Sequence, residues 1–201
     1  MEKFLVIILG AGAVGKSTLT RELCGPDGKE YLVEFDVNGE KEKAKYSLFP
    51  SGFSIAGNIK NGSDSVSNME ARSLLVDMLF KRDDVQVVIV DGVRSSKKWD
   101  IDWVQNHFQG QIKVIYAYFD LSEEENLRRL NQRRSDNGKE GLSDKTYQNM
   151  LAFRARAKGV WEATREYKFY CTKVVIEETD TPSEAAEGIK KLMNIGLSAS
   201  S

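Results

Sequence analysis

The chain has 201 residues, of which 41% are hydrophobic and 29% are charged, and its formal net charge is −1. This size suits one domain with a substantial core, and the near-neutral charge argues against a general polyanion-binding protein. No apolar run approaches the roughly 18–20 residues needed to cross a bilayer, so we expect no membrane span. The two cysteines, Cys24 and Cys171, lack metal-motif spacing and suit a reducing compartment, which indicates a cytoplasmic protein.

Apolar runs and helix caps predict alternating strands and helices. The predicted strands are residues 4–9, 31–37, 43–49, 85–90, 112–119 and 173–177. The predicted helices cover residues 17–24, 69–81, 99–108, 122–134 and about 144–167, with a last one capped by Thr181–Glu184. Five strands alternating with helices indicate a three-layer α/β fold with a mainly parallel sheet. The stretch 43–49 would pair with 31–37 through the Asn38-Gly39 turn, as an inserted hairpin.

These elements predict a single domain over residues 1–195. Within it, we expect the hairpin insertion at about residues 31–56 and a helical lid at about residues 128–158. The remaining tail, residues 196–201, has the small polar composition of a disordered end.

A glycine-rich segment joins the first strand to its helix. Residues 10–17 (GAGAVGKS) fit the pattern G-x-x-x-x-G-K-[ST] in the strand–loop–helix context that this phosphate-binding motif requires. Backbone N–H groups and the helix N-terminus would hold the phosphates, Lys16 would reach the β and γ oxygens, and Ser17 would bind Mg²⁺. The predicted nucleotide ligands are Gly10, Ala11, Gly12, Ala13, Val14, Gly15, Lys16, Ser17 and Thr18. ATP with Mg²⁺ is the expected ligand, because no guanine-specific N-K-x-D motif is present.

A second metal ligand is predicted at the end of another buried strand. Asp91 closes the apolar run VQVVIVD, the position where a carboxylate holds the metal directly or through water. Asp91 could instead only cap the following turn.

A basic helix and a flexible break indicate a kinase rather than a motor or a switch. Residues 128–168 carry 11 Lys and Arg against 5 Asp and Glu. A mobile basic lid would offset the charge of a phosphoryl group in transfer, although solvated helix faces would give the same composition. Arg129 and Arg133, four residues apart, are the predicted catalytic arginines, and Arg154 on the next helix could contact the substrate. This segment resembles the lid of nucleoside- and nucleotide-kinase-like enzymes.

The acceptor site is predicted from two resemblances. Polynucleotide kinases are similar in placing an Asp near the end of the second strand, where it takes the proton of the acceptor hydroxyl; here that residue is Asp36. The segment DGVR, ending at Arg94, resembles the DGFPR of nucleoside monophosphate kinases, whose Arg holds the acceptor phosphate, but the Pro is missing and the Arg comes one residue early. Asp36 could instead be only a structural carboxylate next to the Asn38-Gly39 turn of the hairpin.

The loop Ala56–Asn68 is long and polar, which is typical of functional loops. We predict that it recognises the acceptor, although it could be a solvent loop that only precedes a helix. The predicted acceptor contacts in it are Asn58, Asn61, Ser63, Asp64 and Ser65.

Taken together, AGNIKNGSDS, VVIVDGVRSSKKWD, RRLNQRR and NMLAFRARAKGVW resemble phage P-loop kinases that phosphorylate 5-hydroxymethyluracil in DNA. The resemblance runs from Gly10 to about Trp161. It implies that ATP donates its γ-phosphoryl group to the hydroxymethyl oxygen of a base flipped out of DNA, with Asp36 as the base. A deoxynucleoside or nucleoside monophosphate kinase is the alternative, and a non-catalytic ATP-dependent switch is a third.

Overall fold

The computed structural model describes residues 2–60, 65–66, 68–92, 103–104, 106–108, 111–139, 141–165 and 171–194. The predicted contacts Asn61, Ser63, Asp64 and Arg94 lie outside the described residues, as does the tail 196–201. In the described part of the chain, no helix combines the length and the apolar character that a membrane span needs.

The described residues form an α/β fold built on one mixed sheet of seven strands in the order β2-β3-β4-β5-β1-β6-β7. The strands are β1 (Phe4–Leu9), β2 (Lys29–Val37), β3 (Glu40–Leu48), β4 (Phe53–Ile55), β5 (Val87–Asp91), β6 (Lys113–Asp120) and β7 (Cys171–Glu177). Five neighbouring strands, β4-β5-β1-β6-β7, are parallel, while β3 is antiparallel to both β2 and β4.

The described residues form seven strands, where the sequence predicts a five-stranded sheet with the stretch 43–49 added as a hairpin partner. The predicted core strand 31–37 belongs to β2, which lies at the outer edge and is part of the hairpin. The parallel position beside β5 is taken instead by β4, only three residues long and completely buried. This strand lies between Gly52 and a run of small residues, so it gives too short an apolar signal for sequence analysis to find.

The helices are α1 (Lys16–Cys24), α2 (Met69–Phe80), α3 (Glu123–Asp136), α4 (Asp144–Ala163) and α5 (Pro182–Leu192). Residues 103–104 and 106–108 are also helical, within the predicted helix 99–108. The predicted cap Thr181 is confirmed: its side chain accepts a hydrogen bond from the Glu184 N–H, and Pro182 occupies the first turn. Helix α2 begins after Asn68, whose side chain accepts from the N–H groups of Glu70 and Ala71.

Two apolar clusters lie on opposite faces of the sheet. Leu19 of α1 and Ile189 of α5 pack with alternate β1 residues such as Val6. Leu75 of α2 and Trp161 of α4 belong to the cluster on the other face. Helices on both faces of a largely parallel sheet are compatible with a three-layer α/β fold.

The β2–β3 hairpin extends beyond the rest of the sheet as an arm. β3 pairs with β4 only at Ser47 and Leu48, and Ser47 also pairs with Glu30 of β2. From there to Val37, β2 and β3 pair only with each other among the described strands. At about 3.3 Å per residue, the seven residues after Glu30 extend roughly 20 Å. The tip contacts α2, where the Asn38 amide donates 3.0 Å to Glu70 and the Asn68 amide donates 3.1 Å to Glu42.

Candidate active site

The segment 10–17, here called the glycine loop, connects β1 to α1 at the carboxyl edge of the parallel strands. Gly10 and Gly15 have φ angles of 156° and 112°, and Ala13 has a φ of 65°. A Cβ on Gly10 would lie 2.8 Å from Val14 Cγ2 and 3.3 Å from Phe119 Cβ. The close approach of Val14 within the loop, with Phe119 of β6 next to it, therefore requires glycine at the first position of the loop.

Lys16 lies inside the curve of this loop. Its side chain is buried, and its Nζ donates to the carbonyl oxygens of Gly10, at 2.9 Å, and Ala11. A buried ammonium held by two backbone carbonyls has a defined position, since its long side chain has little room to move. The predicted phosphate ligand is thus placed at the start of α1, where backbone N–H groups also point outward.

Ser17, Thr20 and Asp91 bring oxygen atoms to the start of α1. Asp91 ends β5 and is 3% exposed, and the Thr20 hydroxyl lies 3.1 Å from its Oδ2. Ser17 and Asp91 line the same cavity. A hydroxyl and a carboxylate fit the oxygen preference of Mg²⁺, which commonly keeps water and substrate phosphate as its other ligands. No cluster of three or more His, Cys, Asp or Glu suited to a metal occurs among the described residues, so an ion here would need those additional oxygens.

A cavity of about 950 Å³ opens over the glycine loop, and we call it the main cavity. Its floor is formed by the loop and α1, and α3 contributes Arg133 and Asp136. The remaining walls come from Glu30 of β2 and from Ile59 and Lys60 after β4. Glu30 also connects two parts of this wall, because its carboxylate accepts a hydrogen bond of 2.8 Å from the Ile59 N–H.

Helix α3 is bonded directly to the glycine loop. The Asn126 side chain is fully buried and its amide donates 2.9 Å to the Gly12 carbonyl. Arg129 donates 3.0 Å to the Val14 carbonyl and 2.6 Å to Glu125. Hydrogen bonds from Arg128 and Arg129 lower the pKa of the Glu125 carboxyl to about 2. The helix that carries the predicted lid arginines therefore also positions the loop.

The two predicted catalytic arginines lie in different places. Arg133 lines the main cavity, whereas Arg129 donates to the Val14 carbonyl of the glycine loop. Arg154 donates 3.0 Å to the Ser122 carbonyl and lines a smaller cavity between β6, α4 and the glycine loop.

Asp36 lies near the tip of the hairpin arm, six residues beyond Glu30. Its side chain is exposed, and its Oδ1 accepts a hydrogen bond of 2.9 Å from the Gly39 N–H. It is not among the described residues that line the main cavity. The reason is the register, since β2 joins the sheet at its first residues and its last residues extend beyond it.

A hydrogen bond within the predicted acceptor loop connects two of its described residues. The Ser65 hydroxyl accepts 3.0 Å from the Asn58 N–H. From this part of the chain, Ile59 and Lys60 reach the main cavity.

Sequence reasoning missed Glu30, Lys60, Asn126 and Asp136. Of these, Asn126 had a detectable signal, because it lies one helical turn before Arg129 on the same face of α3. Comparison with known proteins found no matching family model and no matching curated protein.

Proposed function

We propose that the protein is an ATP-dependent phosphotransferase that moves the γ-phosphoryl group to the hydroxymethyl oxygen of 5-hydroxymethyluracil in DNA. The observation that carries this proposal is that Lys16 and Arg133 line the same cavity, together with Ser17 and Asp91. Two cations on separate elements can offset charge on the same phosphoryl group, which is the main requirement of phosphoryl transfer.

In the proposed reaction, the acceptor oxygen forms a bond to the γ-phosphorus while the bond from that phosphorus to the bridging oxygen of ADP breaks. The products are a phosphate ester, ADP and the proton of the hydroxyl. Lys16 would contact the β and γ oxygens, and Arg133 would approach the transferring group from α3. A Mg²⁺ ion held near Ser17 and Asp91 would neutralise phosphate charge.

DNA as the acceptor is supported by the resemblance described above and by the concentration of basic residues in 128–168. A free nucleoside or nucleotide is the second candidate, and the hairpin arm favours it. The exposed face of β3 carries Lys41, Lys43 and Lys45; Asp36 and Glu34 of β2 lie opposite the first two, and Leu32 lies opposite Lys45. Glu34 also pairs with Lys41 at 3.0 Å, so neighbouring carboxylates offset the charge of two of these three lysines towards a polyanion.

Transfer of labelled γ-phosphate from ATP, with Mg²⁺, tests the proposal. The acceptors are DNA containing 5-hydroxymethyluracil, the same DNA with thymine, and a set of free nucleosides and nucleoside monophosphates. We expect label on the hydroxymethylated DNA alone. Label only on a free nucleotide would establish the second candidate, and binding of ATP without transfer to any acceptor would indicate a switch.

Two variants link the activity to the cavity. We expect Lys16→Ala and Arg133→Ala to lower turnover more than about 100-fold, because each removes a cation that stabilises developing charge. Lys145→Ala is the matched control: it removes an exposed cation of α4 that does not line the main cavity. Normal turnover in Lys16→Ala would contradict the proposed role of the glycine loop.

A further inference from the structure

One wall of the main cavity is formed by Glu30, Ile59 and Lys60, and we call it the hairpin wall. Because β4 is parallel to β5 and β5 is parallel to β1, the chain leaves β4 at the same edge of the sheet as the glycine loop. Two hydrogen bonds hold the segment after β4 against the first residues of the hairpin. The Ser47 hydroxyl donates 3.0 Å to the Gly57 carbonyl, and the Ile59 N–H donates 2.8 Å to Glu30 Oε1. The hairpin wall therefore has a defined position beside the proposed phosphate site.

Helix α3 starts on the other side of β1. It follows β6, and the N–H of its cap Ser122 donates 2.9 Å to Glu178, directly after β7. In the sheet, β6 and β7 lie on one side of β1, and β5, β4 and the hairpin lie on the other. Glu30, Lys60 and Lys16 line one continuous space, so a group at the hairpin wall can meet a phosphate at Lys16 without crossing the backbone of the glycine loop. Transfer between two bound substrates requires this kind of proximity.

The carboxylates of the main cavity differ in what surrounds them. Among the described residues, those that line it are Glu30, Asp91 and Asp136. Asp91 is 3% exposed and lies where the proposed Mg²⁺ would bind. Asp136 lies one turn after Arg133 on α3, next to the cation that would approach the transferring group. Glu30 is the carboxylate of the hairpin wall; its backbone hydrogen bond engages Oε1, and its second oxygen can accept a proton.

Lys60 places a positive charge beside this carboxylate. It directly follows Ile59, whose N–H is bonded to Glu30, and its side chain is exposed at the cavity. A lysine ammonium binds phosphate as a point charge on a flexible side chain. The hairpin wall therefore suits a ligand that carries a hydroxyl group and a phosphate, as a hydroxymethylated nucleotide unit does. At about 950 Å³, the main cavity is near the upper end of the roughly 300–1,000 Å³ of small-molecule sites, which leaves room for such a unit beside the phosphates of ATP.

We propose that the acceptor, a 5-hydroxymethyluracil nucleotide unit, binds in the main cavity against the hairpin wall, where Glu30 accepts the hydroxymethyl proton and Lys60 binds the phosphate. This inference rests on the proposed function and names the residues of its acceptor side. As the hydroxymethyl oxygen bonds to the γ-phosphorus, the bond from that phosphorus to ADP breaks, and the proton passes to the second oxygen of Glu30 and then to water. Glu30 takes the role that the resemblance gives to Asp36, which lies farther along the arm.

Glu30→Gln gives the first test, because the amide oxygen can still accept from the Ile59 N–H while the basicity is lost. We expect kcat to fall about 100-fold, the lower range for loss of a general base, with little change in the KM of either substrate. Glu34→Gln is the matched control, since Glu34 is exposed on the same face of β2 and does not line the main cavity. A wild-type kcat in Glu30→Gln would overturn the role of Glu30.

Lys60→Ala tests the phosphate contact with two oligonucleotides that each contain a single 5-hydroxymethyluracil. One has ordinary phosphodiesters, and the other has uncharged methylphosphonates on both sides of the modified nucleotide. For the wild type, we expect the KM of the uncharged oligonucleotide to be about 10-fold higher, because a charged hydrogen bond is lost. Lys60→Ala should have the higher KM for both oligonucleotides and an unchanged KM for ATP.

Lys81→Ala is the control for this second test, because Lys81 is an exposed cation at the end of α2 that does not line the main cavity. It should distinguish the two oligonucleotides as the wild type does. The same discrimination in Lys60→Ala would overturn the phosphate contact.

The two levels of the inference fail in different ways. A wild-type protein that transfers no phosphate to either oligonucleotide would overturn the proposed function. An active wild type whose Glu30→Gln and Lys60→Ala variants have unchanged kinetics would overturn the acceptor site alone.

Discussion

The side-chain amide of Asn126 donates a hydrogen bond of 2.9 Å to the carbonyl oxygen of Gly12, joining α3 to the glycine loop across 114 positions of the chain. The Asn126 Oδ1 is buried and has no hydrogen-bond partner among the described residues. A buried acceptor without a partner lowers the stability of the fold, while the amide of the same residue orients the loop. Such a cost is consistent with a positioning role.

We expect Asn126→Ala to weaken ATP binding about 10-fold, because the Gly12 carbonyl loses its donor and the loop its fixed shape. Isothermal titration with ATP and Mg²⁺ measures the change. Asn131→Ala, on an exposed turn of the same helix, is the control and should bind ATP as the wild type does. Equal affinities for both variants and the wild type would contradict the positioning role.

Thr20→Val should increase the Mg²⁺ concentration needed for half-maximal activity several-fold. The Thr20 hydroxyl lies 3.1 Å from Asp91 Oδ2, so its loss leaves a buried carboxylate with one fewer partner. We also expect a loss of about 1 kcal/mol in the free energy of unfolding. Thr172→Val, at an exposed position of β7, provides the comparison. The prediction fails if the Mg²⁺ dependence of Thr20→Val matches that of the wild type.

The hydrogen bonds of the Glu125 carboxylate should make the difference in stability between wild type and Glu125→Gln depend on pH. Its folded-state pKa is about 2, below the ordinary value of 4.5, because Arg128 and Arg129 donate to it. A lowered pKa stabilises the fold above pH 4.5, and this contribution is lost as the pH falls towards 2. Wild type should therefore have a slightly higher Tm than Glu125→Gln at pH 7, and the difference should shrink by pH 3. A difference that stays constant across this range would show that the charge of Glu125 is not responsible.

Asp36→Asn should retain turnover within about twofold, because the residue lies at the hairpin tip and the amide oxygen can still accept from the Gly39 N–H. Steady-state kinetics beside Lys16→Ala, which should lose most of its turnover, measures the effect. A large loss of turnover in Asp36→Asn, with unchanged ATP affinity, would instead assign the base to the hairpin and require the arm to reach the site.

Continuous patterns in the sequence predicted the centre of the fold correctly. The run Phe4–Leu9 is a buried strand, and the glycine loop and α1 follow it as the motif requires. Periodicity and spacing act over short distances along the chain, so they were sufficient to predict the strands on either side of β1. The roles of Lys16, Ser17 and Asp91 in phosphate and metal binding stay predictions, although the three residues line one cavity.

Long-range geometry accounts for the differences. Asp36 lies near the end of a strand, as a catalytic carboxylate would, but the pairing of β2 with β3 places that strand at the edge of the sheet and its end beyond it. Glu30 and Asp136 reach the main cavity only because β2 and α3 approach it from different sides. Nothing local to either residue distinguishes it from an ordinary exposed carboxylate.

The position of β1 also has a consequence during synthesis of the chain. Phe4 of β1 pairs with Val87 of β5 and with Lys113 of β6, so both neighbours of the central strand are made much later. At about 5–20 residues per second, the ribosome needs several seconds to deliver the first of them. During that interval an apolar strand has no sheet to join, and we expect newly made chains to depend on chaperones more than the mature protein does.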